Sequence, residues 1–183
     1  HPRVRRQRQM CIRDRGNIVL LDDLTINQIA AGEVVERPVN VVKELVENSI
    51  DAGAKEIIVE IKNGGKTYIK VSDNGKGISK DDMEIAFERH ATSKIRNIDD
   101  VEKISSMGFR GEALASIASI SKTTMISKTE EEETGYKIVN IAGNIEEMEE
   151  VVVQRGTTIL VEELFFNTPV RYKFLKQDST EFR

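Results

Sequence analysis

Three groups of residues in this chain have types and spacings that can do chemistry. The first lies on one helix. Placed at about 100° per residue, residues 39–52 gather Val39, Val42, Leu45, Val46 and Ile50 on one side. On the opposite side Glu44, Asn48 and Asp51 fall within a wedge of about 60°, with Glu47 nearby. The apolar stripe would dock the helix on a sheet. The other face carries oxygen atoms: a carboxylate able to hold a water, and an amide carbonyl suited to magnesium. A solvated surface accounts for the acids equally well. It leaves Asn48 unexplained, because asparagine forms helices poorly and adds nothing special to a wet face.

The second group is Asp73-Asn74-Gly75-Lys76-Gly77, at the end of a β-like run. Asp73 at a strand end is held by a rigid scaffold and can accept a hydrogen bond from an exocyclic amine such as that of adenine. Gly75 and Gly77 allow backbone angles and close approaches that other residues do not. An ordinary Asp-Asn-Gly turn would look the same. The third group is Gly108-Phe109-Arg110-Gly111-Glu112, leading into a helix, with Lys94 in Ala91-Thr92-Ser93-Lys94 as a further cation. Free N–H groups at a helix start beside glycines and an arginine make a phosphate cradle. The loop matches neither the P-loop nor the dinucleotide fingerprint, so a flexible surface connection stays open as well.

These groups need elements to hold them. Thr25 to Ala31 reads as a short helix ended by Gly32, and Pro38 opens the next helix, which runs to about Ala52 and stops at Gly53. Residues 56–62 and 66–73 alternate as strands around Asn63-Gly64-Gly65, a hairpin signal. Ser79 caps a helix over 80–88, with Asp82 completing a capping box. Residues 89–111 read as a long loop, and 112–118 as a helix. Strands follow at 122–129, 136–141 and 157–163, while 130–133 and 146–150 read as charged turns. The fold class is therefore α/β (α+β): a two-layer sandwich of a mixed β-sheet with helices on one face.

Composition sets outer limits. The chain has 183 residues, 39% hydrophobic and 32% charged, which is ordinary for a globular domain. No run reaches the apolar length of a membrane span. Cys11 is the only cysteine and His90 the only histidine besides His1, which excludes an internal disulfide and cysteine- or histidine-rich metal centres. Residues 1–16 hold six arginines against one aspartate, a net of +5 that leaves the rest at −9 within a total of −4. The body is thus not built to hold DNA by bulk positive charge. Residues 1–16 are expected to be a disordered or non-native basic leader, and 17–183 one domain.

Six blocks occur in order: residues 29–38 (IAAGEVVERP), 43–54 (KELVENSIDAGA), 73–78 (DNGKGI), 89–95 (RHATSKI), 108–117 (GFRGEALASI) and 156–176 (GTTILVEELFFNTPVRYKFLK). Together they resemble the GHKL superfamily of ATPases, which includes gyrase-type topoisomerases, Hsp90 chaperones, histidine kinases and the MutL mismatch-repair branch. The first block, ATSK and GFRGEAL single out the MutL branch and argue against the other three tasks. The resemblance covers residues 17–176 and implies the GHKL (Bergerat) ATP-binding fold.

The resemblance also implies roles. Glu44 would be the general base that polarises water for attack on the γ-phosphate of ATP. Asn48 would bind Mg2+. Asp73 would take the adenine amino group, with Gly77 and Thr157 lining the base pocket and Asp51 and Ala52 closing it near Asn48. Thr92, Ser93 and Lys94 would meet ribose or phosphates, and Gly108, Phe109, Arg110 and Gly111 would form an ATP lid. His90 is assigned to packing. The branch couples ATP to a switch in shape: homodimerisation on ATP binding, closure around DNA, and signalling between a MutS-type mismatch-recognition protein and a downstream endonuclease or helicase. A bacterial, cytoplasmic and nucleoid-associated setting follows. The family continues into a transducer domain that supplies a lysine to the phosphates, so slow hydrolysis and no nuclease activity are expected of residues 17–183. A nucleotide-binding interaction module without turnover is the alternative.

Overall fold

The computed structural model describes residues 20–21, 23–88 and 113–175. The elements run α1 (Asp23–Val34), α2 (Pro38–Asp51), β1 (Ile57–Lys62), β2 (Tyr68–Asp73), α3 (Lys80–Ile85), α4 (Ala113–Ser119), β3 (Lys122–Lys128), β4 (Gly135–Ile141), β5 (Asn144–Val151), β6 (Gly156–Glu162) and α5 (Pro169–Phe174). The six strands form one sheet in the order β1-β2-β6-β3-β4-β5. The α/β class with helices layered on a sheet holds. The sheet is not mixed, however: all five neighbouring pairs run antiparallel. The late strand β6 enters between β2 and β3 and joins the β1-β2 hairpin to the β3-β4-β5 meander in one surface.

Alternation decides which face takes the helices. Ile69 and Val71 of β2, Ile159 and Val161 of β6, Met125 of β3 and Ile138 of β4 are buried on one face. They pack with Val41 and Leu45 of α2, Ile117 and Ala118 of α4, and Val35 and Phe165 from the connections. Each such aliphatic side chain contributes about 1.5–3 kcal/mol by leaving water. The other face carries cross-strand ion pairs between Lys70 and Glu60, Lys137 and Glu149, and Lys122 and Glu162. Exposed pairs of this kind add little energy but mark a wet surface.

Four local expectations change. Gly32 does not end α1, which continues to Val34. A Cβ at Gly32 would meet the Arg171 guanidinium, the movable end of a long side chain, which donates to the Val35 carbonyl at 3.1 Å. Residues 146–150 are not a turn but the middle of β5, an exposed edge strand whose glutamates keep the edge soluble. On α2 the buried line is Pro38, Val41, Leu45 and Ser49, while Val39 and Ile50 are 36% and 53% exposed. The helix sits rotated from the expected stripe, with Val41 and Leu45 in the core and Ser49 buried in line with them. The capped helix after Ser79 stops at Ile85, short of 88.

The hairpin signal holds, with Asn63, Gly64 and Gly65 all at positive φ between β1 and β2. The loop over 130–133 is also where expected, but Glu132 does more than face water. Its carboxylate accepts from Lys80 N at 2.9 Å, and from Thr129 N at 3.1 Å and Thr129 Oγ1 at 2.9 Å. It thereby satisfies a free N–H at the start of α3. The Lys80 backbone N–H, and then the Thr129 groups, hold the Glu132 pKa below its ordinary value. A depressed carboxylate stabilises the fold above its unfolded pKa and loses that contribution as pH falls through the folded one. Thermal melts of the wild type and Glu132→Gln should therefore differ near neutral pH, with the gap closing on acidification below the usual glutamate range. A pH-independent gap would contradict this.

Candidate functional site

Asp73, Thr157 and Ser127 stand side by side on β2, β6 and β3, in register across three strands. They continue the face that buries Val71, Ile159 and Met125, so the sheet's apolar face ends in a polar row. The C-terminal turn of α2 lies over this row. Ser49 Oγ, buried on α2, donates to Asp73 Oδ2 at 2.8 Å, with the Leu45 carbonyl a longer second acceptor at 3.1 Å. Gly75 N donates to Asp73 Oδ1 at 2.9 Å. Both carboxylate oxygens are thus held by donors, and each keeps a lone pair for a ligand.

The loop after β2 wraps this carboxylate. Asn74 Oδ1 accepts from Lys55 N at 2.9 Å and Glu56 N at 3.0 Å, which ties the loop to the segment leaving α2. Lys76 N donates to the Ala52 carbonyl at 3.0 Å, and a Cβ on Gly75 would meet Ala52 at 2.9 Å. Gly77 has φ +76°, and a Cβ there would run into the Lys128 carbonyl at the end of β3. Gly156, at φ +128°, lies as closely on the Asp73 carbonyl. The glycines of this site are required by backbone approach as well as by dihedral angle.

Asp73, Ala52, Gly77 and Thr157 are therefore brought together, Thr157 by register with Asp73, Ala52 through Gly75 and Lys76, and Gly77 against the end of β3. On α2, Asp51 adjoins Ala52 and Asn48 adjoins Ser49 at this cluster, and Glu44 lies further back along the helix. Glu44 is five residues before Ser49, a rise of about 7.5 Å. Lys43 Nζ lies 3.1 Å from Glu47 and 3.9 Å from Glu44. The Glu47 carboxylate, and to a lesser extent Glu44, raises the Lys43 pKa. Thr92, Ser93, Lys94, Gly108, Phe109, Arg110, Gly111 and His90 lie outside the described residues, as does the loop over 89–111. Among the described residues no cluster of three His, Cys, Asp or Glu side chains is disposed to hold a metal.

Sequence reasoning missed Ser49 and Ser127. A serine interrupting the apolar side of an amphipathic helix was the available signal for Ser49. Nothing local distinguished Ser127 from other strand hydroxyls; its importance comes from register alone.

Residues 36–168 match the family model of histidine kinase-, DNA gyrase B- and HSP90-like ATPases. The chain belongs to this family. Within the GHKL ATPases its similarity is to the MutL branch. It is 57% identical over 164 residues to the DNA mismatch repair protein MutL of Caldanaerobacter subterraneus subsp. tengcongensis, covering 90% of this chain and 28% of that one. It is 59% identical to MutL of Clostridium tetani, covering 90% and 26%. The chain spans about a quarter of the length of these relatives. Among solved structures, the Aquifex aeolicus MutL ATPase domain complexed with ADP superposes with a TM-score of 0.64 and 43% identity, over 82% of this chain and 52% of that one. The GHKL fold expected from the six blocks is the fold found.

Proposed function

We propose that this chain is the nucleotide-handling part of a MutL-like ATPase, binding Mg2+-ATP along α2 and hydrolysing it to ADP and phosphate. The observation that carries this reading is the arrangement around α2. A carboxylate with both oxygens pre-positioned sits at the C-terminal end of the helix, and Asn48 and Glu44 lie about one and two turns back from Ala52. An ATP laid along the helix puts its base at Asp73 and its phosphates toward Glu44. The adenine amine donates to Asp73, and Gly77, Thr157 and Ala52 shape the base pocket. Asp51 closes it from the helix.

Glu44 takes the role of general base, orienting a water and accepting its proton as that water attacks the γ-phosphate. The residues fit magnesium through Asn48: it is exposed on the oxygen face of α2, and this ion takes only one or two protein ligands beside phosphates and water. Bound there, the ion would neutralise phosphate charge. Thr92, Ser93 and Lys94, with Gly108, Phe109, Arg110 and Gly111 as a lid, supply the remaining ribose and phosphate contacts.

The wider role is a switch in DNA mismatch repair. ATP binding drives homodimerisation, and the dimer engages DNA, a MutS-type recognition protein and a downstream endonuclease or helicase. The setting is cytoplasmic, at the nucleoid when engaged. Among the described residues no helix is long and apolar enough to cross a membrane.

Calorimetric titration of the 183-residue chain with ATP and ADP, with and without magnesium, tests the core of this reading. Saturable ATP binding strengthened by magnesium is expected. A folded sample that binds neither nucleotide would overturn it.

A further inference from the structure

Ser127 is fully buried, and the roles proposed above do not use it. Its Oγ lies 2.8 Å from Ile78 N, 3.0 Å from the Gly156 carbonyl and 2.9 Å from Thr157 Oγ1. A serine hydroxyl has one proton and two lone pairs. The Ile78 N–H can only donate, so it takes one lone pair. The Gly156 carbonyl can only accept, so it takes the proton. The third contact must then be donated by Thr157 into the remaining lone pair. In the reverse assignment, with Ser127 donating to Thr157, the Gly156 carbonyl would face a serine lone pair at 3.0 Å with no proton between them. Burial penalises such a contact.

The Thr157 proton is therefore directed into the sheet, away from Asp73, its register partner on β2. What Thr157 presents beside Asp73 is lone pairs. Asp73 presents lone pairs too, since Ser49 and Gly75 supply its internal donors. We propose that Ser127 is a positioning residue that locks Thr157 as an acceptor, so that the pocket selects purine nucleotides carrying an amino group over those lacking it. The inference rests on the reading of this pocket as the adenine site. It adds the residue that sets the pocket's hydrogen-bond polarity.

The test compares dissociation constants for ATP and purine riboside triphosphate, whose base has a hydrogen where adenine has its amine and keeps N1 as an acceptor, on the 183-residue chain with magnesium. In Ser127→Ala the Thr157 hydroxyl is released to turn its proton toward the base, and the ratio of the analogue's constant to that of ATP should fall about tenfold. Ser127→Thr keeps the hydroxyl and should keep the wild-type ratio. Thr157→Val gives an independent reading by its sign. Loss of an acceptor for the amine lowers the ratio, whereas loss of a donor, which the amine does not need, leaves it unchanged or raises it. An unchanged ratio in Ser127→Ala, or a raised or unchanged one in Thr157→Val, overturns the proposal while leaving the adenine pocket in place. Should Ser127→Ala fail to fold, Thr157→Val decides alone. A wild type that binds neither nucleotide would instead remove the adenine reading, and this inference with it.

Discussion

Asp73→Asn should abolish ATP binding by calorimetry, weakening it at least about 100-fold, while the protein melts within a few degrees of the wild type. The two outcomes separate because the substitution can be absorbed internally but not by a ligand. An asparagine oxygen can still accept from Gly75 N, which lies 2.9 Å from Oδ1 in the wild type. Its amide nitrogen then faces Ser49 Oγ. The serine can reverse its role, accepting from the new amide and passing its proton to the Leu45 carbonyl at 3.1 Å. Every buried group keeps a partner. The face offered to the base changes from acceptor to donor, and an adenine amine then meets an N–H. Lost binding together with a collapse in melting temperature would mean that Asp73 is a structural residue of the loop. Retained binding would remove it from the site.

Much of this was legible in the sequence, for a physical reason. Asp73 and its glycines follow a period-2 strand, and Glu44, Asn48 and Asp51 follow a period-3.6 helix, so each side chain's direction is set locally. What the sequence left out arises from relations between distant segments. Gly32 looks like a helix stop until Arg171, 139 residues later, is laid across it. The glutamates of β5 look like a turn because an edge strand with both faces wet has no apolar alternation to announce it. The antiparallel sense of the sheet depends on β6 returning between β2 and β3. Ser127 acquires its three partners only in that register. The apolar pattern puts Val39 and Ile50 on the docking stripe of α2, but the helix turns Pro38, Val41 and Leu45 to the sheet instead, which brings Ser49 onto Asp73 and leaves those two at the margins.

Glu44→Gln should leave ATP affinity within a few-fold of the wild type and lower single-turnover hydrolysis by about 10²–10³-fold. The substitution keeps size and hydrogen-bonding reach but removes the basic lone pair that takes the proton from water. Glu47→Gln is the informative control. Glu47 is the closer partner of Lys43, at 3.1 Å against 3.9 Å for Glu44. If the α2 acids acted only through their charge near Lys43, Glu47→Gln would have the larger effect. A base at Glu44 gives the opposite order, with Glu47→Gln within a few-fold of the wild type. Equal, small losses in both variants would leave a pocket that holds the nucleotide without acting on it, the reading in which the chain is a binding module. Direction along the helix then gives the remaining discrimination. Asp73 acts at the base end, beside Ser49, and Glu44 about 7.5 Å back along the helix at the phosphate end, so loss of affinity should track the first and loss of rate the second. A Glu44→Gln variant that lost affinity as severely as Asp73→Asn would place both side chains at one end of the ligand, which the rise of α2 between them does not allow.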